Sequence, residues 1–239
     1  IDTVRKYSSA IIVMRSHNLE YQIWEELSLG ERNPIKAVYF KICSRQLKSY
    51  EQRVYSNYDL LLPISKEDAR LYRELGFGKN MLLTLPGLEL NQYPLGERKI
   101  NIPLRIGYLG SLDWKPNIEG LLWFFVKVWP VIKKHYPQVV FHLAGRNPSD
   151  DIKSIKLKEL KLYGEVEDAM SFLKDMDLIV VPLFSGSGIR IKILESMALG
   201  KTVLSTEKGF ESIDVENGIN ALMAKDANDF IEQLRAVLD

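Results

Sequence analysis

Cysteine is nearly absent from this sequence. Cys43 is the one cysteine among 239 residues, so neither an internal disulfide nor a cysteine metal cluster can form. Proteins without disulfides are typical of reducing compartments. We therefore expect a cytoplasmic location, at the inner face of the membrane if a membrane is contacted.

Long apolar runs, excess charge and metal-ligand clusters are also missing. No run approaches the roughly 18 apolar residues that span a bilayer, and we expect no signal peptide. The net charge of +1 provides no field that would attract nucleic acid, so we expect no such partner. No group of His, Asp and Glu has metal-site spacing, so we expect neither a metal nor a cofactor.

Two nucleotide-binding motifs are present only in part. Residues 199–202, LGKT, resemble the end of a P-loop, but Glu195 stands where its first glycine is required, and the segment closes a helix. The sequence GSGIRI lacks the third glycine of a dinucleotide fingerprint. These departures argue against an NTPase and against NAD. The DMD at residues 175–177 is interpreted as a helix end followed by a strand, not as a metal site.

The pattern that is present is an alternation of strands and helices, which predicts an α/β fold with parallel sheets. The first half carries three predicted strands, at residues 10–14, 59–65 and 81–89, with helices over 36–56 and 66–76 and Gly76 as a C-cap. Residues 91–103 are polar, contain two prolines and predict a linker.

After the linker the alternation restarts and is more complete. It predicts six strands, one long helix over 117–137 and shorter helices near 149, 166–176, 190–200 and 228. We therefore predict two domains, residues 1–97 and 98–239, the second a doubly wound Rossmann-like unit. The first has too few strands for such a unit, and the chain begins at Ile1, so we expect it to be the C-terminal part of one.

The loop and helix at residues 182–201, PLFSGSGIRIKILESMALGK, are the strongest site candidate. Gly186 and Gly188 would let backbone amides approach an anion, and Ser187 adds a hydroxyl. Lys192 and Glu195 lie one helical turn apart, which suits a ligand with phosphate at the helix start and ribose further along. An ordinary surface pair of these two side chains explains the spacing equally well.

A resemblance distinguishes these alternatives. The segments GSGIRIKILESMALGKTVLSTEKGFESI, GYLGSLDWKPNIEGLLWF and HNLEY resemble the retaining glycosyltransferases of family 4, which have the two-domain GT-B fold. The resemblance is specific because several motifs of the family occur in the right order along the chain. The resemblance covers essentially the whole chain. It implies that the C-terminal domain binds a nucleotide sugar and that the N-terminal domain binds the acceptor.

The resemblance also assigns roles to individual residues. Glu195 matches the last glutamate of the E-x7-E motif, which binds the donor ribose, and Lys115 matches the lysine that neutralises the diphosphate. Gly110 matches the small residue that lets its loop approach that group. Val166 matches the position whose backbone contacts the nucleobase, with Arg146 at a neighbouring strand end. A sixth position, His17, matches the histidine that lines the catalytic cleft.

Two positions depart from the family pattern. The first glutamate of E-x7-E falls at Ser187, and an arginine is replaced by Ser111 in the donor loop. Arg190 could restore the missing positive charge, because a guanidinium fork is well suited to phosphate.

The expected activity is transfer of a sugar, with retention, from a UDP or GDP sugar to a saccharide or lipid-linked acceptor in glycan biosynthesis. Lys115, Arg190, Lys192 and the glycine amides would stabilise the leaving diphosphate without a metal, and no protein nucleophile is evident. A nucleotide-binding module without transfer activity remains a second hypothesis, and an epimerase on the same fold a third.

A basic and aromatic stretch, KAVYFKICSRQLKSYEQR at residues 36–53, allows two interpretations. It could lie against an anionic membrane surface as a peripheral contact, or it could form a solvated helix face. From the sequence alone we favour the solvated face.

Overall fold

A computed structural model of the chain describes residues 1–31, 33–55, 57–95, 101, 103–186 and 188–239. It divides into two compact units. Unit 1 contains Ile1–Gly87 and Ser185–Ile189, and unit 2 contains Leu88–Phe184 and Arg190–Asp239. The predicted division between residues 97 and 98 lies outside the described residues and stays a prediction.

Unit 1 is built on a three-stranded parallel sheet with the order β1-β2-β3. Its strands are β1 (Val13–Ser16), β2 (Leu60–Pro63) and β3 (Asn80–Met81). Its helices are α1 (Asp2–Tyr7), α2 (Glu20–Gly30), α3 (Pro34–Tyr55) and α4 (Lys66–Glu74). The parallel α/β arrangement is confirmed, whereas α1 and α2 were not predicted.

The third strand is shorter than the sequence predicts. The amides of Leu82 and Thr84 still donate to carbonyls of β2, at 3.0 and 2.9 Å, so the chain follows β2 beyond the last assigned strand residue. Pro86 then interrupts the pattern, since proline has no N–H to continue a ladder. The predicted strand over 81–89 is therefore wrong over most of its length.

Both ends of α4 are capped by its own sequence. The Ser65 hydroxyl accepts a hydrogen bond from the amide of Asp68 at the N-terminus. At the C-terminus, Gly76 has φ +93° and the amide of Phe77 donates to the carbonyl of Tyr72, which is the Schellman arrangement. The predicted C-cap role of Gly76 is confirmed.

Unit 2 is a six-stranded parallel sheet with the order β6-β5-β4-β7-β8-β9. Its strands are β4 (Arg105–Leu109), β5 (Val140–Ala144), β6 (Leu160–Gly164), β7 (Leu178–Val181), β8 (Thr202–Ser205) and β9 (Leu222–Met223). Its helices are α5 (Lys115–Lys127), α6 (Trp129–His135), α7 (Asp150–Lys153), α8 (Ala169–Lys174), α9 (Ile191–Ala198) and α10 (Ala227–Leu238). This strand order is that of the Rossmann fold.

Side chains of β7 show why the strand is apolar at every position. Leu178 and Val180 pack into the cluster that holds α5, α6 and α10, while Ile179 and Val181 pack with α8 and α9 on the other face. A strand covered on both faces must be apolar throughout. The predicted doubly wound architecture is confirmed.

The long helix predicted over 117–137 is instead two helices. α5 ends at Lys127 and α6 begins at Trp129, with Val128 between them at φ −107° and ψ −53°. Pro130 accounts for the break, because it lacks an amide hydrogen and its ring crowds the preceding turn.

Two of the rejected motifs have structural roles. Gly200, in the LGKT segment, ends α9, and the amides of Gly200 and Lys201 donate back to Met197 and Ser196. Asp177, in the DMD segment, accepts from the amide of Arg105 at 2.8 Å and so joins the start of β7 to that of β4. The helix-closing interpretation of LGKT is confirmed.

Candidate functional site

The order of the strands in unit 2 locates the candidate site. β4 and β7 are neighbours at the centre of the sheet, and the connections from them leave in opposite directions. The crevice at the carboxyl ends of two such strands is where open α/β sheets bind ligands. Gly110 follows β4 and Pro182 follows β7 at this position.

Three glycines let backbone segments meet at the floor of this crevice. A Cβ on Gly145 would lie 1.7 Å from the carbonyl oxygen of Gly110, and one on Gly120 would lie 1.6 Å from that of Pro182. A Cβ on Gly110 would lie 2.9 Å from Nζ of Lys192. A side chain at position 110 would therefore crowd Lys192, while the predicted approach of this loop to a diphosphate stays a prediction.

Lys192 is the centre of the polar contacts in the crevice. Its Nζ donates to the Tyr108 hydroxyl at 2.8 Å and to Oδ1 of Asn117 at 3.2 Å. Nζ also lies 4.3 Å from the centroid of the Tyr108 ring. Because Lys192 is the second residue of α9 and Asn117 the third of α5, these contacts bring the N-terminal turns of both helices together.

The environment of this ammonium disfavours its charge. Burial, and then the positive charge of Arg190, lower the pKa of Lys192 from 10.5 to about 7. The two hydrogen-bond partners are a neutral phenol and a neutral amide, so neither replaces the stabilisation of the charged amine that burial removes. A dianionic ligand would do so, because an opposite charge nearby favours the charged form.

The lowered pKa of Lys192 predicts a pH-dependent stability difference. Below pH 7 the amine is charged in both the folded and the unfolded chain, so the full cost of burying it is present. Between pH 7 and 10.5 the folded chain releases the proton and the unfolded chain keeps it, so stability rises with pH. Relative to Lys192→Met, the wild-type free energy of unfolding should rise by at most about 1.4 kcal/mol per pH unit. Urea unfolding at pH 6, 7.5 and 9 measures the free energy of unfolding of both proteins. A difference between them that does not change with pH would contradict the prediction.

The loop after β4 is ordered by its own polar side chains. The Ser111 hydroxyl donates to Oδ1 of Asp113 at 2.5 Å, and Nδ2 of Asn147 donates to Oδ2 at 2.9 Å. These hydrogen bonds, from Ser111 and then Asn147, lower the pKa of Asp113. Nδ2 of the buried Asn117 donates to the carbonyl of Ser111 at 2.8 Å. Ser111 therefore shapes the loop through both its side chain and its backbone.

Three of the predicted donor-site residues follow neighbouring strands of unit 2, namely β4, β5 and β6. Lys115 is the first residue of α5, with Nζ 3.7 Å from Oε1 of Glu119. Arg146 follows β5 and has an exposed side chain, and its backbone carbonyl accepts a hydrogen bond from the amide of Leu112 at 2.9 Å. Val166 follows β6 and is half-buried against the cluster that contains α8 and α9.

Arg190 and Glu195 both belong to the N-terminal part of α9, Arg190 just before the helix and Glu195 as its fifth residue. Arg190 is the N-cap residue and is buried, with Cζ 5.8 Å from the centroid of the Trp114 ring. Oε1 of Glu195 accepts a hydrogen bond from the Tyr93 hydroxyl at 3.2 Å. Glu195 is therefore not part of a surface pair with Lys192, whose partners are Tyr108 and Asn117.

The remaining predicted residues belong to unit 1. His17 is exposed and directly follows β1, beside the buried Ser16. The amide of Gly186 donates to Oε2 of Glu26 at 2.6 Å, so this amide faces a carboxylate. Gly188 belongs to the same five-residue segment. Ser187 lies outside the described residues, and its predicted role stays untested.

Sequence reasoning missed Tyr108, Asn117 and Tyr93. Tyr108 is the one residue with a hydroxyl in the strand sequence RIGYL, and Asn117 is a polar residue that the helix buries. A polar group at a buried position is a signal that it has a specific partner. Tyr93 carries no comparable signal, since it lies in the polar segment that was interpreted as a linker.

Comparison with known families now identifies the chain. The family described as Glycosyl transferases group 1 matches residues 103–239, more than half of the chain. The chain belongs to this family. The match includes all the candidate residues of unit 2 that are named above except Tyr93.

The chain is also similar to a curated protein and to solved structures. An uncharacterised 44.6 kDa protein in the cps region of Klebsiella pneumoniae is 24% identical over 225 residues, covering 90% of this chain and 56% of that protein. Anabaena HepE in complex with UDP-glucose matches with a TM-score of 0.68 and 15% identity, covering 96% of this chain and 63% of HepE. Sucrose-phosphate synthase from Thermosynechococcus elongatus matches with a TM-score of 0.70 and 17% identity, covering 99% of this chain and 60% of the synthase.

These similarities establish the GT-B fold, as the resemblance of the sequence implied. The chain spans about half the length of its curated relative from Klebsiella. Within the part of the chain that the structure describes, no three His, Cys, Asp or Glu side chains form a group that could hold a metal ion. No helix in that part has the length and apolar composition needed to cross a bilayer.

Proposed function

We propose that this glycosyltransferase transfers a sugar from a nucleotide-diphosphate sugar, UDP- or GDP-linked, to a saccharide or lipid-linked acceptor. The contact of Lys192 with Tyr108 and Asn117 carries the proposal. It places an ammonium without a carboxylate partner where two helix N-termini meet. Helix N-termini and cations together favour a dianionic group such as a diphosphate.

Three cations would stabilise the leaving nucleotide diphosphate. Lys192 is already at the crevice floor, Arg190 is buried at the start of α9, and Lys115 begins α5. Each can offset negative charge that grows on the diphosphate as the bond to the sugar breaks. We propose that this charge stabilisation takes place without a metal.

Glu195 is proposed to bind the ribose hydroxyls of the donor. It lies one turn beyond Lys192 on α9, about 4.5 Å along the helix axis. Its carboxylate already accepts a hydrogen bond from the Tyr93 hydroxyl, so it is held in one orientation. The backbone at Val166 and the side chain of Arg146 are proposed to contact the nucleobase.

The ribose assignment predicts a specific pattern of UDP affinities. Glu195→Ala should weaken UDP binding about tenfold, because charged hydrogen bonds to hydroxyls contribute about 1.5 kcal/mol. Tyr93→Phe removes the same internal hydrogen bond from Glu195 but keeps the carboxylate, so its affinity should stay within about twofold of wild type. Isothermal titration calorimetry measures both variants.

Equal weakening in the two variants would show that Glu195 acts only through its contact with Tyr93. Unchanged affinity in both would remove Glu195 from the donor site. GDP titrated in parallel establishes which base the site prefers.

Retention and the acceptor belong to the same proposal. In retaining transfer without a protein nucleophile, the acceptor hydroxyl attacks from the face that the diphosphate leaves, and the proton passes to the leaving phosphate oxygen. His17 is proposed to line the acceptor side of the reaction. The relative from a cps region of Klebsiella pneumoniae supports a saccharide acceptor in polysaccharide biosynthesis.

A nucleotide-binding module without transfer activity is the second candidate. Ser187 replaces the glutamate that the family pattern places near the donor sugar, and the chain spans about half the length of its curated relative. UDP binding combined with the absence of both transfer and UDP-glucose hydrolysis would favour this module.

A further inference from the structure

The outward face of α3 is an exposed apolar stripe. Ile35, Val38, Tyr39 and Ile42 repeat at the i, i+3, i+4, i+7 spacing of one helix face, and we call them the outer stripe. Their exposed fractions are 81%, 59%, 58% and 47%. A surface helix ordinarily exposes polar side chains on its outward face. The outer stripe therefore needs an explanation that the packing of unit 1 does not provide.

α3 attaches to unit 1 through its opposite face. The rings of Phe40 and Trp24 are in edge contact at 5.8 Å, and the Ser44 hydroxyl donates to the carbonyl of Tyr21 at 2.9 Å. Ser44 lies about 200° around the helix from Ile42. The helix thus has one apolar face that holds it to the unit and a second one that points away from it.

The charges beside the outer stripe have one sign. Residues 33–50 contain Lys36, Lys41, Arg45 and Lys48 and no Asp or Glu, although the whole chain carries a net charge of only +1. Within the described residues, no ion pair involves Lys36, Lys41 or Arg45. The helix therefore combines exposed apolar side chains with positive charge that no neighbouring carboxylate neutralises.

We propose that the outer stripe of α3 docks unit 1 on an anionic lipid bilayer. The stripe would enter the boundary between headgroups and acyl chains, with the flanking lysines and Arg45 on lipid phosphates. A second copy of this chain would present the same cations to the stripe and be repelled. This inference goes beyond the proposed transfer reaction and does not depend on it.

Vesicle flotation of the full chain tests the proposal. The chain should float with vesicles of 70% phosphatidylcholine and 30% phosphatidylglycerol in 0.1 M NaCl, but not with pure phosphatidylcholine vesicles. Each of Lys41→Gln and Arg45→Gln should lower the partition coefficient about fivefold, since one basic residue near the surface contributes about 1 kcal/mol. The double variant V38S/I42S should lower it by about tenfold or more.

Val126→Ser is the matched control, because Val126 is 67% exposed on α5 in unit 2 and should leave flotation unchanged. Unchanged circular dichroism melting shows that each variant is folded. Equal binding to both vesicle types, or binding to neither, would overturn the proposal. So would light scattering that shows a dimer lost in V38S/I42S, which would assign the stripe to a second copy. A longer gene product that fails to float while this chain floats would assign it to another segment of the protein.

Discussion

Replacing Lys192 by methionine is expected to weaken UDP binding about 100-fold at pH 6.5. Methionine keeps most of the side-chain volume but removes the ammonium at the crevice floor. Losing one preorganised charge from such a site costs on the order of 100-fold. Isothermal titration calorimetry with UDP measures the loss, and Lys134→Met, at an exposed position of α6, is the control that should bind normally.

The UDP affinities of the wild-type protein and Lys192→Met should also differ in their dependence on pH. Because the pKa of Lys192 is lowered to about 7, the wild-type protein loses the charged amine as the pH rises above 7. Its UDP affinity should then fall by up to about tenfold per pH unit between pH 7 and 9. The phosphates of UDP are already ionised in this range, so the change reports the protein. Lys192→Met should show no such dependence, and a parallel decline in both proteins would assign the titration to another group.

Gly120→Ala is expected to destabilise the chain by about 3 kcal/mol. In a free helix alanine is favoured over glycine by about 1 kcal/mol. Here its Cβ would lie 1.6 Å from the carbonyl oxygen of Pro182, so α5 must move away from the segment that follows β7. Overpacking of this kind costs about 1–3 kcal/mol, and a collision with backbone has no side-chain rotamer that relieves it.

Denaturant unfolding of Gly120→Ala and Gly30→Ala measures the difference. Gly30 ends α2, and a Cβ there would meet nothing within 4 Å, so its substitution should be neutral or slightly stabilising. Similar stabilities for the two variants would show that α5 and its neighbour relax at little cost.

Local patterns in the sequence predict much of the fold. The apolar run at β7 requires cover on both faces, Gly76 ends α4, and Gly200 ends α9, each through interactions within a few residues. Pro130 is also a local signal, and it accounts for the break that the prediction of one long helix overlooked. The spacing of Lys192 and Glu195 correctly places both on the first turns of α9.

Local sequence patterns could not predict the hydrogen-bond partners of Lys192 and Glu195. Tyr108 precedes Lys192 by 84 positions and Tyr93 precedes Glu195 by 102. Each pair meets only because of the tertiary fold, and for Lys192 the decisive step is that β4 and β7 become neighbours. Spacing in the sequence therefore indicated a site but not its electrostatics.

The sequence left open which face of α3 is exposed for a related reason. The segment from Pro34 has apolar residues on two opposite faces, and the sequence does not say which face unit 1 covers. Once Phe40 and Ser44 are seen to hold the helix, Ile35 and Ile42 are left outside.

The glycine contacts beneath the crevice also determine how the site can deform. The carbonyl of Gly110 abuts Gly145, while the amides of both residues donate to neighbouring strand ends, at 3.1 and 2.7 Å. Backbone that is hydrogen-bonded and in direct contact with other backbone has few alternative conformations. We therefore expect the floor to stay rigid, so that adjustment to different ligands would fall to the long side chains above it. Differences in ligand preference among related chains should accordingly arise from those side chains, while the glycines stay the same.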